Sequence, residues 1–135
     1  MTAPEPESAL QSKIRQALAH EPGLVLWRNN SGVADYNGTR VRYGLVVGAS
    51  DLIGMLTMEC WVRAPGHDGA PVTVIDRLAC GRFIALEVKT ARGKVSKEQS
   101  MFLALVQRMG GFAAVVRSVD EARAAIARAR TGACE

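Results

Sequence analysis

The stretch from Gly81 to Val116 constrains this chain more than any other. It reads as an apolar strand, "GRFIALEVKT", then a helix start, "SKEQ", and then a second apolar strand, "FAAVV". Ser96 and Gln99 have the spacing of a capping box. The helix they open runs through Met109 and closes at Gly110-Gly111. A strand, a helix and a strand of these lengths form a right-handed crossover, which sets "EVKT" and "FAAVV" parallel within one sheet. Along "RFIALEVK" the period of two puts Ile84, Leu86 and Val88 on one face, and Phe83, Ala85, Glu87 and Lys89 on the other. Because the second face begins with Phe83 and Ala85, it is not expected to be a solvated edge. A buried carboxylate there needs a partner, which is either Lys89 in a structural ion pair or a metal ion.

The remaining segments supply the elements around this unit. Residues 1–6 are Pro-rich and expected to be a mobile lead-in, with Pro6 suited to the first turn of a helix. "ESALQSKIRQALAH" places Leu10, Ile14, Ala17 and Leu18 at helical spacing before Pro22-Gly23. "LVLWRNN" (24–30) reads as a strand, and Asn37-Gly38 within "SGVADYNGTRVRYG" marks a hairpin bearing Arg40 and Arg42. "ASDLIGMLTMECWV" contains a strand with Asp51 at its start. "RAPGHDGAP" is a loop, and "VTVID" a short extra strand. After "FAAVV", Ser118 and Glu121 read as a second capping box opening a final helix to about Arg130, with 131–135 as a tail.

Three further polar residues stand out by position. At about 100° per residue, Glu7 falls on the stripe of Leu10, Ile14 and Leu18, with Gln11 beside it. The alternative is an exposed first-turn acid that favours the helix dipole. Asp51 is either a turn-forming Asp or an acid aimed at the same cleft as Glu87. Gln99 aligns with Phe102, Leu103 and Val106 on an inner helix face, so capping and a second role are compatible. Acids and a lysine drawn from separate elements suit a hard divalent cation such as Mg²⁺ or Mn²⁺, which takes carboxylate and water oxygens. Such an ion activates water against a phosphodiester.

Composition is consistent with that chemistry. With 135 residues, 48% of them hydrophobic, the chain has the size of one domain with a real core. Lys and Arg total 17 against 13 Asp and Glu, a net +4 that favours a polyanionic partner. Thirteen of the 17 are Arg, whose planar fork matches phosphate. Cys60, Cys80 and Cys134 lie far apart in sequence and His20 and His67 are isolated, so no zinc site is expected and a reducing cytoplasmic setting fits. The first residues lack the basic and apolar pattern of a secretory signal, no apolar run approaches a membrane span, and no glycine-rich nucleotide loop is present.

The pattern Asp51…Glu87-Val88-Lys89 resembles the PD-(D/E)XK, or restriction-endonuclease-like, superfamily. With "E7…Q11", "RNNSG", "RYGLVVGASDLIG", "GRFIALEVKTARGKVSKEQ" and "RMGGFAAVVRSVDEA", the chain from Glu7 to about Ile126 looks like the virus-type replication-repair nuclease (VRR-NUC) domain. The resemblance implies an α/β fold with a restriction-endonuclease-like core, ordered helix, three strands, helix and strand, whose mixed central sheet is flanked by helices. It implies Asp51, Glu87 and Glu7 as metal ligands, Lys89 as the catalytic lysine, and Gln99 as a further site residue.

It also implies a Mg²⁺- or Mn²⁺-dependent endodeoxyribonuclease acting on branched DNA such as four-way junctions, as a homodimer, in a phage or mobile-element setting. Arg28, Arg40, Arg42, Arg92, Lys94 and Lys97 are the expected DNA contacts. Two departures are visible: Ser50 stands where the superfamily has Pro, and residues 60–80 look like an insertion between Asp51 and Glu87. Rival readings are a nuclease for flaps, duplex or RNA, a non-catalytic nucleic-acid-binding module, and a core domain with a buried ion pair.

Overall fold

The protein is described here by a computed structural model covering residues 5–133. Its elements in chain order are α1 (Glu7–Leu18), β1 (Leu24–Arg28), β2 (Gly32–Tyr36), β3 (Thr39–Tyr43), β4 (Leu52–Ala64), β5 (Thr73–Val88), α2 (Lys97–Arg108), β6 (Phe112–Val116) and α3 (Val119–Arg130). Four strands form a mixed sheet in the order β1-β4-β5-β6. β1 and β5 each run antiparallel to β4 between them, and β6 runs parallel to β5 with Ile84 opposite Phe112. The crossover expected from "EVKT…FAAVV" is therefore present, carried by α2.

The period-two pattern of β5 divides the core between the sheet's faces. Ile84, Leu86 and Val88, with Leu52 and Leu56 of β4, pack against Ile14 and Leu18 of α1 and Ala122, Ala125 and Ile126 of α3. On the opposite face Ala85 and Ala113 meet Leu103 and Val106 of α2. Each fully buried Leu, Ile or Phe contributes roughly 1.5–3 kcal/mol, so the α1/α3 layer carries most of the hydrophobic stabilisation. Arg82 fastens the far end, donating from Nη1 to Ala129 O at 2.6 Å and from Nε to Gly110 O at 3.2 Å. Ala129 lies in the last turn of α3, where its carbonyl also accepts from Gly132 N at 3.3 Å, and Gly110 lies just beyond α2.

Asn37 and Gly38 both have positive φ (52° and 79°), the backbone of the tight hairpin turn that this dipeptide favours. They join β2 to β3 in a separate two-stranded sheet. Gly54 has a different role. A Cβ added there would lie 1.9 Å from Val25 O, so only glycine lets β1 approach β4 at this point.

Several expectations need correction. "VTVID" is not a separate strand but the beginning of the 16-residue β5. Residues 60–80, read as an insertion, form the outer part of the β4–β5 hairpin, which stays paired out to Ala64 and Thr73 with an irregularity at Val62/Arg63. Helix α1 ends at Leu18 rather than His20, and β1 at Arg28 rather than Asn30. The second capping box is half formed: Ser118 Oγ accepts from Glu121 N at 3.1 Å, but the Glu121 carboxylate takes the amide of Arg117 at 2.8 Å. Phe83 is exposed while Ala85 is buried, because α2 covers only part of their face.

Cys60 and Cys80, distant in sequence, are neighbours across the hairpin, and a hydrogen bond between them raises the Cys60 thiol's pKa. Cys134, most of the lead-in and the last tail residue lie outside the described residues. Among the described residues no helix is long and apolar enough to cross a membrane. Substituting Gly54→Ala should force β1 away from β4 and cost more than about 3 kcal/mol in urea unfolding, the scale of severe overpacking and lost pairing.

Candidate active site

The end of the β4–β5 hairpin gathers the charged residues that the strand pattern singled out. Asp51 immediately precedes β4 and Glu87 sits near the end of β5, where Leu52 pairs with Leu86. That register brings Asp51 across from Glu87–Val88, and Asp51 Oδ2 accepts a 2.9 Å hydrogen bond from Val88 N. Asn29, just beyond β1, holds the other side of Asp51. Its backbone N–H donates to Asp51 O at 2.8 Å, and its side-chain amide donates to Ser50 O at 3.0 Å.

Glu87 is completely buried, an unusual position for a carboxylate. One oxygen, Oε1, is doubly held: Lys89 Nζ lies 2.9 Å away, and Gln99 Nε2 donates a short hydrogen bond to it. The other, Oε2, is buried and has no hydrogen-bond partner among the described residues. Ser50 Oγ is the other buried side-chain atom left in this state. Unpartnered buried oxygens carry a desolvation penalty, so such atoms tend to mark sites with a further ligand or a chemical role.

Gln99 combines two functions. Its Oε1 accepts from Ser96 N at 2.8 Å while its own N–H donates to Ser96 Oγ at 3.1 Å, completing the capping box. The same amide's NH₂ group reaches Glu87. The N-terminus of α2 is thereby tied to the acid.

Glu7 lies in the first turn of α1, with its side chain 36% exposed. Its Oε1 is 3.5 Å from Lys89 Nζ, so the lysine bridges two carboxylates. Gln11, one turn further along α1, is buried. Burial pulls the Lys89 ammonium down, but the hydrogen bond to Glu87 and the charges of Glu87, Glu7 and Asp51 outweigh it, and the net shift is upward. Burial pushes Glu87 up to about 7, with the charges of Asp51 and Glu7 adding to the rise and Lys89 opposing it.

The basic residues divide by location. Arg28 lines a cleft of about 420 Å³ with Gln11, Asn29, Tyr43 and Asp51. Arg92 and Lys94 are exposed on the turn after Lys89, and Lys97 on the first turn of α2. Arg40 and Arg42 are exposed on β3, in the separate hairpin. Two residues absent from the sequence-based set help hold the site. Asn29 positions the Asp51 segment, and Arg117 Nη1 donates to Thr90 O and, at 2.9 Å, to Gly93 O, pinning the turn that carries Arg92. Neither had a periodicity signal, since both act on main-chain carbonyls distant in sequence.

As arranged, the acids are bridged by a cation. Among the described residues no group of three or more His, Cys, Asp or Glu side chains is spaced to hold a metal ion. The donors nevertheless suit a small hard cation that keeps several waters and needs one or two carboxylates. Glu87 offers an unpartnered oxygen, and Asp51 adds its charge nearby. No protein-family model matches the chain, and neither a curated protein nor a solved structure matches it.

The raised Glu87 pKa fixes the sign of a pH effect. The folded state holds a proton that the unfolded state releases above about 4.5, so stability from this group is full below that pH and is lost as pH rises through about 7. The loss is on the order of 3 kcal/mol across the window. Urea unfolding of Glu87→Gln compared with the parent chain should show a flatter profile between pH 5 and 8, as a rough window for this titration; identical profiles would remove Glu87 as the cause.

Proposed function

We propose that this chain is a Mg²⁺- or Mn²⁺-dependent endodeoxyribonuclease with a restriction-endonuclease-like core, hydrolysing phosphodiester bonds at the Asp51/Glu87/Lys89 site. The observation that carries the reading is Glu87: a fully buried carboxylate with one oxygen clamped by Lys89 and Gln99 and the other unpartnered. The order of α1, then β1, β4 and β5, then α2 and β6 supports the fold assignment, since it is the order of helix, three strands, helix and strand that the resemblance implies. The net charge of +4 and the exposed Arg28, Arg92, Lys94 and Lys97 support a nucleic-acid substrate.

In this reading Asp51 and Glu87 would hold the divalent cation, with Glu7 as a further candidate ligand. When bound, such an ion would supply the polarisation of a phosphodiester and the lowered pKa of a water that hydrolysis needs. Gln99 keeps the Glu87 carboxylate in one rotamer. Lys89 orients the water or neutralises charge developing on phosphorus, and its raised pKa keeps it an ammonium throughout. Arg92 and Lys94, on the turn pinned by Arg117, bind the flanking phosphates. Branched DNA is the leading substrate, on the resemblance of the motifs. The competing reading, a structural ion pair, is favoured by the Lys89 bridge between Glu87 and Glu7. It gives no reason for the unpartnered Oε2.

Purified protein with labelled four-way junction, flap, duplex, single-stranded DNA and RNA should cleave at least one DNA substrate when Mg²⁺ or Mn²⁺ is present. Asp51→Asn and Lys89→Ala should lower that rate by about 10³-fold or more with unchanged circular dichroism. Full activity in either variant would overturn the assignment. Arg92→Ala and Lys94→Ala should each weaken DNA binding and reduce the magnitude of its salt slope by about one.

A further inference from the structure

The outer part of the β4–β5 hairpin gathers sulfur. Met58 of β4 pairs with Cys80 of β5, and Cys60 pairs with Leu78, so Met58, Cys60 and Cys80 project from one face of the hairpin. The thiols of Cys60 and Cys80 are joined by a hydrogen bond, and both residues are half-buried. Met58, also half-buried, packs against the core at this end. All three line a cavity of about 380 Å³ together with Arg82, Gly110 and Gly132. The group lies seven residues along β5 from Glu87 and on the opposite face of the sheet.

We infer that Met58, Cys60 and Cys80 form a binding site for a soft monovalent cation, Cu(I), with two thiolates and one thioether as ligands. The donor set decides the metal. Among the described residues no third His, Cys, Asp or Glu is placed to join the two thiols in holding an ion. The third donor is then the Met58 thioether, which suits Cu(I), whereas structural zinc sites are completed to four ligands by Cys, His or carboxylate. Methionine's unbranched side chain lets its sulfur adjust to the ion.

The spacing fits an ion better than a disulfide. Cys60 and Cys80 are diagonal across the strands, where Cα atoms stand about 7–8 Å apart, more than the roughly 5.5–6 Å usual in a disulfide. Two thiolates sharing one ion at about 2.3 Å each lie about 3.8 Å apart, close to the separation of hydrogen-bonded thiols. Charge fits as well. Two thiolates and one Cu(I) carry a single net negative charge, and the Arg82 guanidinium lines the same cavity. Gly110 and Gly132 line it without side chains that would block entry. None of the residues around Glu87 is involved, so the inference stands or falls independently of the nuclease reading.

Anaerobic titration of the reduced full chain with Cu(I), in competition with the chromogenic chelator bicinchoninate, tests it, together with X-ray absorption at the copper edge of the loaded protein. A single ion per chain should bind, more tightly than to dithiothreitol at equal thiol concentration, with only sulfur neighbours. Cys60→Ser and Cys80→Ser, folded by circular dichroism, should each weaken binding by about 100-fold or more. Met58→Leu should weaken it by about 10-fold and remove one sulfur neighbour from the absorption spectrum. A parent chain that binds Cu(I) no better than dithiothreitol would overturn the inference, and that arm needs no variant to fold. So would nitrogen or oxygen neighbours in the loaded parent chain, undiminished affinity in both Ser variants, or displacement of the bound Cu(I) by equimolar Zn²⁺.

Discussion

The burial of the Glu87 carboxylate is the constraint around which the site is organised. A charge in that position is stable only if something compensates it: Lys89 on β5 and Gln99 on α2 do so, while Glu7 of α1 and Asp51 at the turn into β4 add negative charge that opposes its ionisation. The compensation is incomplete. Lys89 and Gln99 both serve Oε1, leaving Oε2 with no partner and the pKa raised to about 7.

The hydrophobic pattern of β5 makes this placement possible. Ile84, Leu86 and Val88 anchor the strand to α1 and α3, so the opposite positions are fixed in height and direction. The antiparallel register with β4 then puts Asp51 beside Val88, and the parallel register with β6 brings Arg117 to the turn after Lys89. Gln99 links the layers. The hydrogen bonds that start α2 also orient the side chain touching Glu87, so helix capping and carboxylate positioning are one arrangement.

Much of this was legible in the sequence where local rules act strongly. The capping box at Ser96, the Asn37-Gly38 turn, the parallel crossover and the two faces of β5 follow from periodicity and turn chemistry. Strand and helix periodicity marked Glu7, Glu87 and Gln99 as polar residues on inward faces, and the family resemblance grouped them with Asp51 and Lys89. What local rules do not encode is longer-range. The continuous β4–β5 hairpin depends on pairing between segments that look like loop and isolated strand, and the Cys60–Cys80 proximity follows from that pairing. Asn29 and Arg117 bind backbone carbonyls, which any sequence supplies, so no side-chain pattern marks them. Phe83 looked interior by alternation, but α2 is too narrow to cover the row it belongs to.

The proposed role of Glu87 is to bind a divalent cation through the carboxylate oxygen left unpartnered. Calorimetric titration of Mn²⁺ into the protein near pH 7, repeated in buffers of different ionisation enthalpy, tests it most directly. Because burial raises the Glu87 pKa to about 7, cation binding should be accompanied by proton release. Proton release should vanish and affinity collapse in Glu87→Gln. Undiminished Mn²⁺ binding in that variant, or no binding to the parent chain, would contradict the account.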